Sequence, residues 1–347
     1  MQKVAVVILN WNGRNLLEKF LPALLLHTPA DLAEIIVADN GSTDDSVSFL
    51  STNYPQIRQI NFGRNYGFAG GYSLALSQLD HEYVVLLNSD IEVSAGWLEI
   101  AIEYLDAHPE VAALQPKLLD YNNKTTFEYA GAAGGFIDIY GYPFCRGRIL
   151  ASIEKDQGQY DDAIEVFWAT GACLFIRLKD YFFAGGLDEN FFAHQEEIDL
   201  CWRLRARGKK IICLPQSVVY HIGAATLKKE SPQKTFLNFR NNLLMTYKNL
   251  HEKYYHKAMI FRFFFDYLAA LHFIIKGRPG NAWSVVKARI EFHRLKKNYL
   301  EIRKDNLEKT IDELPTGILT YSVLWNYYIN NKTKYSQFFP DAKHKKL

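Results

Sequence analysis

Several things are scarce in this 347-residue chain, and each scarcity closes off a class of protein. Charge imbalance is nearly absent: 40 Lys and Arg stand against 38 Asp and Glu. No overall field therefore draws the chain to nucleic acid, and any basic patch has to be local. There are only four cysteines, Cys145, Cys173, Cys201 and Cys213, with no C-x-x-C pair and no zinc-ligand spacing. They read as buried thiols of a reducing compartment, the cytoplasm. No stretch of about 20 apolar residues occurs, which argues against a spanning helix. The longest candidate, FRFFFDYLAALHFII from Phe261, is interrupted by Arg262, Asp266 and His272. The opening MQKVAVVILNWNG lacks a small-residue cleavage site and reads as a first strand rather than a signal peptide. Internal repeats and low-complexity tracts are missing, and neither G-x-x-x-x-G-K-[ST] nor G-x-G-x-x-G is present.

What is there suits a folded globular protein, with 48% hydrophobic and 22% charged residues. Short apolar runs at 4–10, 34–40, 57–62 and 83–89 alternate with helical patterns at 14–27, 44–52, 67–79 and 94–107. Runs without polar alternation fit strands buried on both faces, so the pattern predicts βαβ units and a mostly parallel sheet. Ligands of such sheets bind beyond the carboxyl ends of the strands. Three of those ends are polar: NWNG (10–13), ADNGSTDDS (38–46) and NSD (88–90). One such cluster is ordinary turn chemistry, whereas three on one edge point to a site.

From 117 to about 160 the pattern turns irregular, an excursion of the kind that is functional or mobile. Residues 166–177 then read as a core strand, 195–208 as a helix ended by Gly208, and 210–221 as a strand pair broken at Pro215. Residues 234–302 are helical by period, aromatic and basic, with breaks at Gly277, Pro279 and Gly280. The division expected is an α/β domain over 1–230 and a helical extension over 231–347, closing in a solvated KHKKL tail.

The stretch FFAHQEEIDLCWRL (191–204) packs three carboxylates into four positions. At about 100° per residue, Glu196, Asp199, Arg203 and Arg207 share one polar face, and Asp199 with Arg203 has the spacing of a structural ion pair. Glu197 falls instead with Cys201 and Leu204, between Leu200 and Ile198. Burial there would raise its pKa while a helix N-terminus lowers it, leaving a usable general base. A structural carboxylate accepting backbone N–H groups is the plain alternative.

Seven pieces in order, VVILNWNG, IIVADNGSTDDS, FGRNYGFAGGYSLAL, VVLLNSDIEV, ATGACLFIR, GGLDENFFAHQEEIDLCWRLRARGKKI and VVYHIGAAT, resemble the family 2 inverting glycosyltransferases of the GT-A fold, in particular their rhamnosyltransferase-like branch. The resemblance covers most of residues 1–230 and implies an α/β, Rossmann-like nucleotide-binding fold. It implies transfer of a sugar from a dTDP- or UDP-linked donor to a hydroxyl of a cell-surface glycan or lipid-linked oligosaccharide. Asp39 takes the place of the family's base-binding aspartate, with Asn10 and Trp11 beside the same base; Asp39 as a helix cap is the alternative. Arg64 and Asn65 come near the nucleotide, and Gly70 and Gly71 serve either close approach or packing. Asn88, Ser89 and Asp90 stand where many members carry D-x-D, so a divalent cation, Mg²⁺ or Mn²⁺, would rest on Asp90, the diphosphate and waters. His221 matches a histidine that completes the metal or diphosphate site. Glu197 matches the catalytic aspartate of an E-D-x-D pattern, with Glu196 as the fallback.

The helices at 256–276 and 287–304, with Lys257, Arg262, Lys276 and Arg278, suit an anionic membrane surface on the cytoplasmic side. A cap packed on the domain or a homodimer interface is equally compatible with them. Two other functions stay open on the sequence: a sugar-nucleotide pyrophosphorylase, whose Gly-rich basic loop NWNGRNLL does not resemble, and an inactive sugar-nucleotide-binding scaffold.

Overall fold

The computed structural model describes residues 2–223 and 231–339. Ala224–Thr226 of VVYHIGAAT and the KHKKL tail lie outside the described residues. The first part of the chain is the expected alternation: β1 (Val4–Asn10), α1 (Arg14–Leu26), β2 (Ala33–Asp39), α2 (Ser46–Asn53), β3 (Arg58–Asn61), α3 (Gly67–Leu76) and β4 (Tyr83–Leu87). These four strands run parallel in the order β4-β1-β2-β3. Ala5 and Val7 face one apolar cluster while Val4, Val6 and Ile8 face another, so β1 is apolar throughout because both its faces are covered.

Beyond β4 the sheet is no longer parallel throughout. The turn after β4 leads to β5 (Ile91–Val93), α4 (Trp97–Ala107) and β6 (Val111–Asp120), a fully formed strand where the sequence reading placed the start of an irregular stretch. The segment that follows is not formless. It builds a second sheet from β7 (Gly135–Asp138), β8 (Pro143–Cys145), β9 (Arg148–Ile149) and β10 (Ser152–Ile153). Next come β11 (Ile164–Glu165), β12 (Cys173–Arg177), α5 (Leu178–Phe183), α6 (Glu196–Ala206) and β13 (Lys210–His221). β12 is shorter than expected and runs antiparallel to both β4 and β6. β13 is one strand rather than a pair, because the register slip between Leu214 and Val218 absorbs Pro215 as a bulge. With β11 and β5 antiparallel to β13, the nine-stranded sheet is mixed, and the expected parallel character holds for its β1–β4 half.

The C-terminal part holds α7 (Pro232–Asn249), α8 (Glu252–Ile275), α9 (Pro279–Leu295), a 3₁₀ turn (Lys296–Tyr299), α10 (Leu300–Glu308), β14 (Ile318–Leu319) and α11 (Val323–Tyr328). β14 pairs with β7 of the second sheet, so the extension is not purely helical. Leu243, Leu244, Met245, Phe292, Tyr299, Val323 and Tyr335 belong to the same apolar cluster as Ala5 and Val7. Buried Asp138 accepts from the Val323 N–H at 2.9 Å, tying the last helix to the second sheet.

Candidate active site

The ends of β1 and β2 are level, Asn10 pairing with Asp39 in register. Asp39 is buried; its Oδ2 accepts from Asn10 Nδ2 at 3.0 Å and its Oδ1 from the Ser42 N–H at 2.8 Å. It is not a helix cap: α2 starts at Ser46, whose N–H is met by Asp44. Asn12, at φ 52°, accepts from the Thr43 N–H at 2.7 Å, and Trp11 is left 42% exposed at the mouth of this turn. Gly41 is required here, since a Cβ at its φ of 75° would lie 2.5 Å from the Arg64 backbone. Asn40, which the sequence reading did not single out, joins the next loop: its Nδ2 donates to Asn65 Oδ1 and Gly67 O at 3.1 and 3.0 Å. Arg64 is exposed, its guanidinium 4.7 Å over the Tyr66 ring. Gly71 packs against Leu9 and Asn40, and Gly70 against Tyr66, so both are packing glycines within α3.

The tight turn from β4 to β5 brings Asp90 to the end of β13. His221 Nε2 lies 3.1 Å from Asp90 Oδ1 and 3.5 Å from Asn88 Nδ2, and its Nδ1 lies 3.2 Å from Glu128 Oε1. Burial opposes charge on this imidazole, yet Glu128 and Asp90 together hold its pKa up to about 10. Glu128 sits in the stretch that looked irregular, and its other oxygen accepts from the Ala130 and Gly131 N–H groups. Nothing in the local pattern around it signalled a role; only β6 and β13 lying side by side bring it to His221. Among the described residues no three His, Cys, Asp or Glu side chains are grouped so as to hold a metal ion. Asp90 supplies a carboxylate that fits a divalent cation whose remaining ligands come from a diphosphate and water; His221 would join it only as the neutral imidazole, once the cation displaces the proton held between Nε2 and Asp90.

The carboxylate run opens α6, behind a loop of unusual backbone. Phe192, His194 and Gln195 have φ of 65°, 72° and 74°, left-handed values that cost a non-glycine residue on the order of 1–3 kcal/mol each. Gln195 is the residue that caps the helix, so this loop sets where Glu196 and Glu197 begin. Gly67 closes against it: a Cβ there would lie 2.5 Å from Phe192 O, which accepts from the Phe68 N–H at 2.6 Å. Burial, with Lys234 nearby, pushes the His194 imidazole down to about 4, so it is neutral.

The face carrying Glu196, Asp199 and Arg203 is buried, not solvated, because α7 covers it. Arg203 donates to Asp199 Oδ2 from Nε at 3.1 Å and from a terminal nitrogen at 2.9 Å, so the expected pair exists. Lys248 and Asn249 of α7 add bonds of 2.9 and 2.8 Å. Although burial pushes the Asp199 carboxyl up, Lys248 and Arg203 hold it below the ordinary value. Glu197 is the more accessible of the pair, half-buried, with its Cβ 3.6 Å from where a side chain on Gly171 would start. Glu196 and Glu197 each keep one carboxylate oxygen without a partner among the described residues. Burial pushes Glu197 up to about 7, against the pull of the backbone N–H groups around it. Burial, and then the neighbouring Glu197, push Glu196 well above its ordinary value.

Comparison with known proteins accords with this geometry. Residues 5–170 match the family model described as "Glycosyl transferase family 2". The chain is 26% identical over 234 residues to N-acetylglucosaminyl-diphospho-decaprenol L-rhamnosyltransferase of Mycobacterium tuberculosis, covering 62% of this chain and 75% of that protein. Among solved structures it resembles GalNAc-T7 with UDP, GalNAc and Mn²⁺, with a TM-score of 0.61 at 15% identity, over 95% of this chain and 57% of that one. It also resembles S. aureus TarS 1-349 in complex with UDP-GlcNAc, with a TM-score of 0.54 at 15% identity, over 89% of each.

Proposed function

The chain belongs to glycosyltransferase family 2 and has the GT-A fold, and from that premise we propose that its donor is a dTDP- or UDP-linked sugar of the hexose or rhamnose type. The acceptor is a hydroxyl of a growing cell-surface glycan or lipid-linked oligosaccharide, and the anomeric carbon inverts. The lipid-diphosphate acceptor in the name of the mycobacterial relative supports this reading.

Asn10, Trp11 and Asp39 grip the base, with Arg64 and Asn65 on the adjoining loop. Asn88, Ser89 and Asp90 face the diphosphate. Asp90 and His221 would hold the divalent cation, Mg²⁺ or Mn²⁺, which supplies charge neutralisation for the departing diphosphate; GalNAc-T7 was solved with Mn²⁺. Glu197 takes the proton from the acceptor hydroxyl. The freed oxygen bonds to the anomeric carbon from the face opposite the diphosphate, which leaves with the electron pair of the broken C–O bond. Glu196, buried beside it, is pushed well above its ordinary value by burial and then by Glu197, and is the fallback for the base.

The observation that carries the assignment is the unpartnered Glu197 oxygen, half-buried beside Gly171 with its pKa raised to about 7. A general base works best when its pKa lies near the operating pH. Glu197→Gln should keep nucleotide binding, measured by calorimetry, while nucleoside-diphosphate release from mixed donors falls about 10²–10⁴-fold. Near-normal turnover in Glu197→Gln with loss in Glu196→Gln would reassign the base. Release of pyrophosphate from a nucleoside triphosphate would mark a pyrophosphorylase, and binding without turnover a scaffold.

Attachment to the cytoplasmic membrane face belongs to the same reading. Ile260, Phe264, Leu268, Leu271 and Ile275 form an exposed stripe along α8, with Lys257 and Lys276 at its ends. By length and composition α8 is also long and apolar enough to cross a membrane. A stripe on one face, opposite a buried charged face, favours lying in the interface over spanning.

A further inference from the structure

We infer that Asn241 on α7 is a positioning residue for transfer, acting by locking the loop that places Glu196 and Glu197. The inference rests on the reading that this loop delivers the base.

The loop from Asn190 to Gln195 is held by side chains of α7 and, at Phe192 O, by the Phe68 and Ala69 N–H groups of α3. Asn241 Nδ2 donates to the carbonyls of Phe191, Ala193 and His194 at 2.9, 2.9 and 2.8 Å. Its two N–H groups are shared among three acceptors, so all its donor capacity is spent on this turn. The amide orientation is settled by its neighbour: Arg240 Nε donates to Asn241 Oδ1 at 2.9 Å, which leaves only the NH₂ group to face the loop. Arg240 also donates to Asn190 O and Phe191 O at 2.8 and 3.1 Å. Asn242 Nδ2 reaches Gln195 Oε1 at 2.9 Å and Gly141 O at 2.7 Å. Asn241 is fully buried and Asn242 nearly so.

Three carbonyls within four residues converge on one amide because Phe192, His194 and Gln195 are left-handed. An unconstrained chain of these residues would leave that conformation, and the start of α6 would move with it. Glu197 lies on the second residue of α6, two positions after the last left-handed residue, so the loop fixes its reach. None of these α7 side chains is hydrogen-bonded to the nucleotide-side residues Asp39 and Asn10, which bond each other and Ser42. Loosening the clamp should therefore slow the chemical step without weakening the donor.

Asn241→Asp keeps the volume and replaces the donors with oxygens that face three carbonyls. Expected are a kcat lower by about 10²-fold, the scale for misplacing a reacting group by about 1 Å, and a donor KM and nucleotide Kd within about twofold of wild type. Hydrogen exchange should rise in the 190–199 segment and stay unchanged in β1, β2 and β4. Gln195→Gly is the second variant: glycine adopts φ 74° freely, which offsets part of the stability lost with the Asn242–Gln195 bond, while the loop loses its tie to α7 next to Glu196 and kcat still falls. If Asn241→Asp does not fold, Gln195→Gly alone decides, and an unchanged kcat there overturns the inference. So does a loss in Asn241→Asp shared equally by kcat and nucleotide Kd, or exchange that rises everywhere. Glu197→Gln is measured alongside. Normal turnover in that variant with loss in Asn241→Asp removes Glu197 as base and leaves the clamp acting on another group of the loop. Loss in Glu197→Gln with normal Asn241→Asp keeps the base and removes the clamp.

Discussion

Glu197 and Asp199 are two residues apart on one helix, and their surroundings send them in opposite directions. Glu197 gains no cation, so burial raises its pKa to about 7. Its folded state therefore binds the proton more tightly than the unfolded chain, for which 4.5 is the ordinary value. Stability from this group is complete below that value and is lost as pH rises through about 7. On the proposed role of Glu197 as base, transfer runs the other way, since the base must be ionised: the rate should climb with an apparent pKa near 7. Glu197→Gln should melt a few degrees higher than wild type above pH 7 and match it near pH 4, with the transfer limb gone. Asp199 is held ionised by Lys248 and Arg203, and its contribution is lost only as pH falls through its lowered pKa. Asp199→Asn leaves buried Arg203 without a counter-charge, while Lys248 keeps Asp188 at 2.6 Å. The cost should be about 3 kcal/mol, the low end for breaking a buried pair. Thermal melts will show it, and activity should decline only with the folded fraction.

At the scale of elements, α8 divides its charged and apolar residues unexpectedly. Arg262 is not a surface cation: it is buried with Asp266 and Arg289, its Nε 3.2 Å from Asp266 Oδ1, and it also donates to Asn242. The basic run 287–304 is likewise divided among α9, the 3₁₀ turn and α10. What remains for a membrane is the apolar stripe and a few rim lysines. Burying a large apolar side chain is worth about 1.5–3 kcal/mol and a lysine near an anionic surface about 1 kcal/mol, so the stripe should dominate. Phe264→Glu combined with Leu268→Glu should abolish flotation with anionic liposomes and leave nucleotide affinity intact. High salt alone should weaken flotation only in part. A wild-type dimer that the same pair of substitutions splits, with no liposome binding at all, would instead make the stripe a subunit interface.

At the scale of the molecule, residues 231–339 complete the catalytic half rather than trail from it. Leu243, Leu244, Met245, Phe292 and Val323 are fully or nearly fully buried in the common core, and β14 adds an edge to the second sheet. Five such side chains at about 1.5–3 kcal/mol each amount to roughly the whole net stability of a domain, about 5–15 kcal/mol. A chain ending at residue 230 should therefore aggregate on expression and lack a cooperative melt. Recovery of a folded, nucleotide-binding fragment would restore the independent domain expected from composition.

Local patterning decided a good deal. The continuous apolar runs of β1, β2 and β4, the polar strand ends Asn10, Asp39 and Asn88, and the four-residue spacing of Asp199 and Arg203 are properties of neighbouring residues, so they could be read in order along the chain. Strand direction past β4, the clustering of Glu128 with Asp90 and His221, and the burial of Arg262 were decided only by tertiary structure. Each depends on which distant segment packs alongside, and helical angle alone cannot say which face is covered. Glu196 and Asp199 show this most directly: the sequence put them on a polar face, and Lys248, Asn249 and the rest of α7, about 50 residues later, made that face part of the interior.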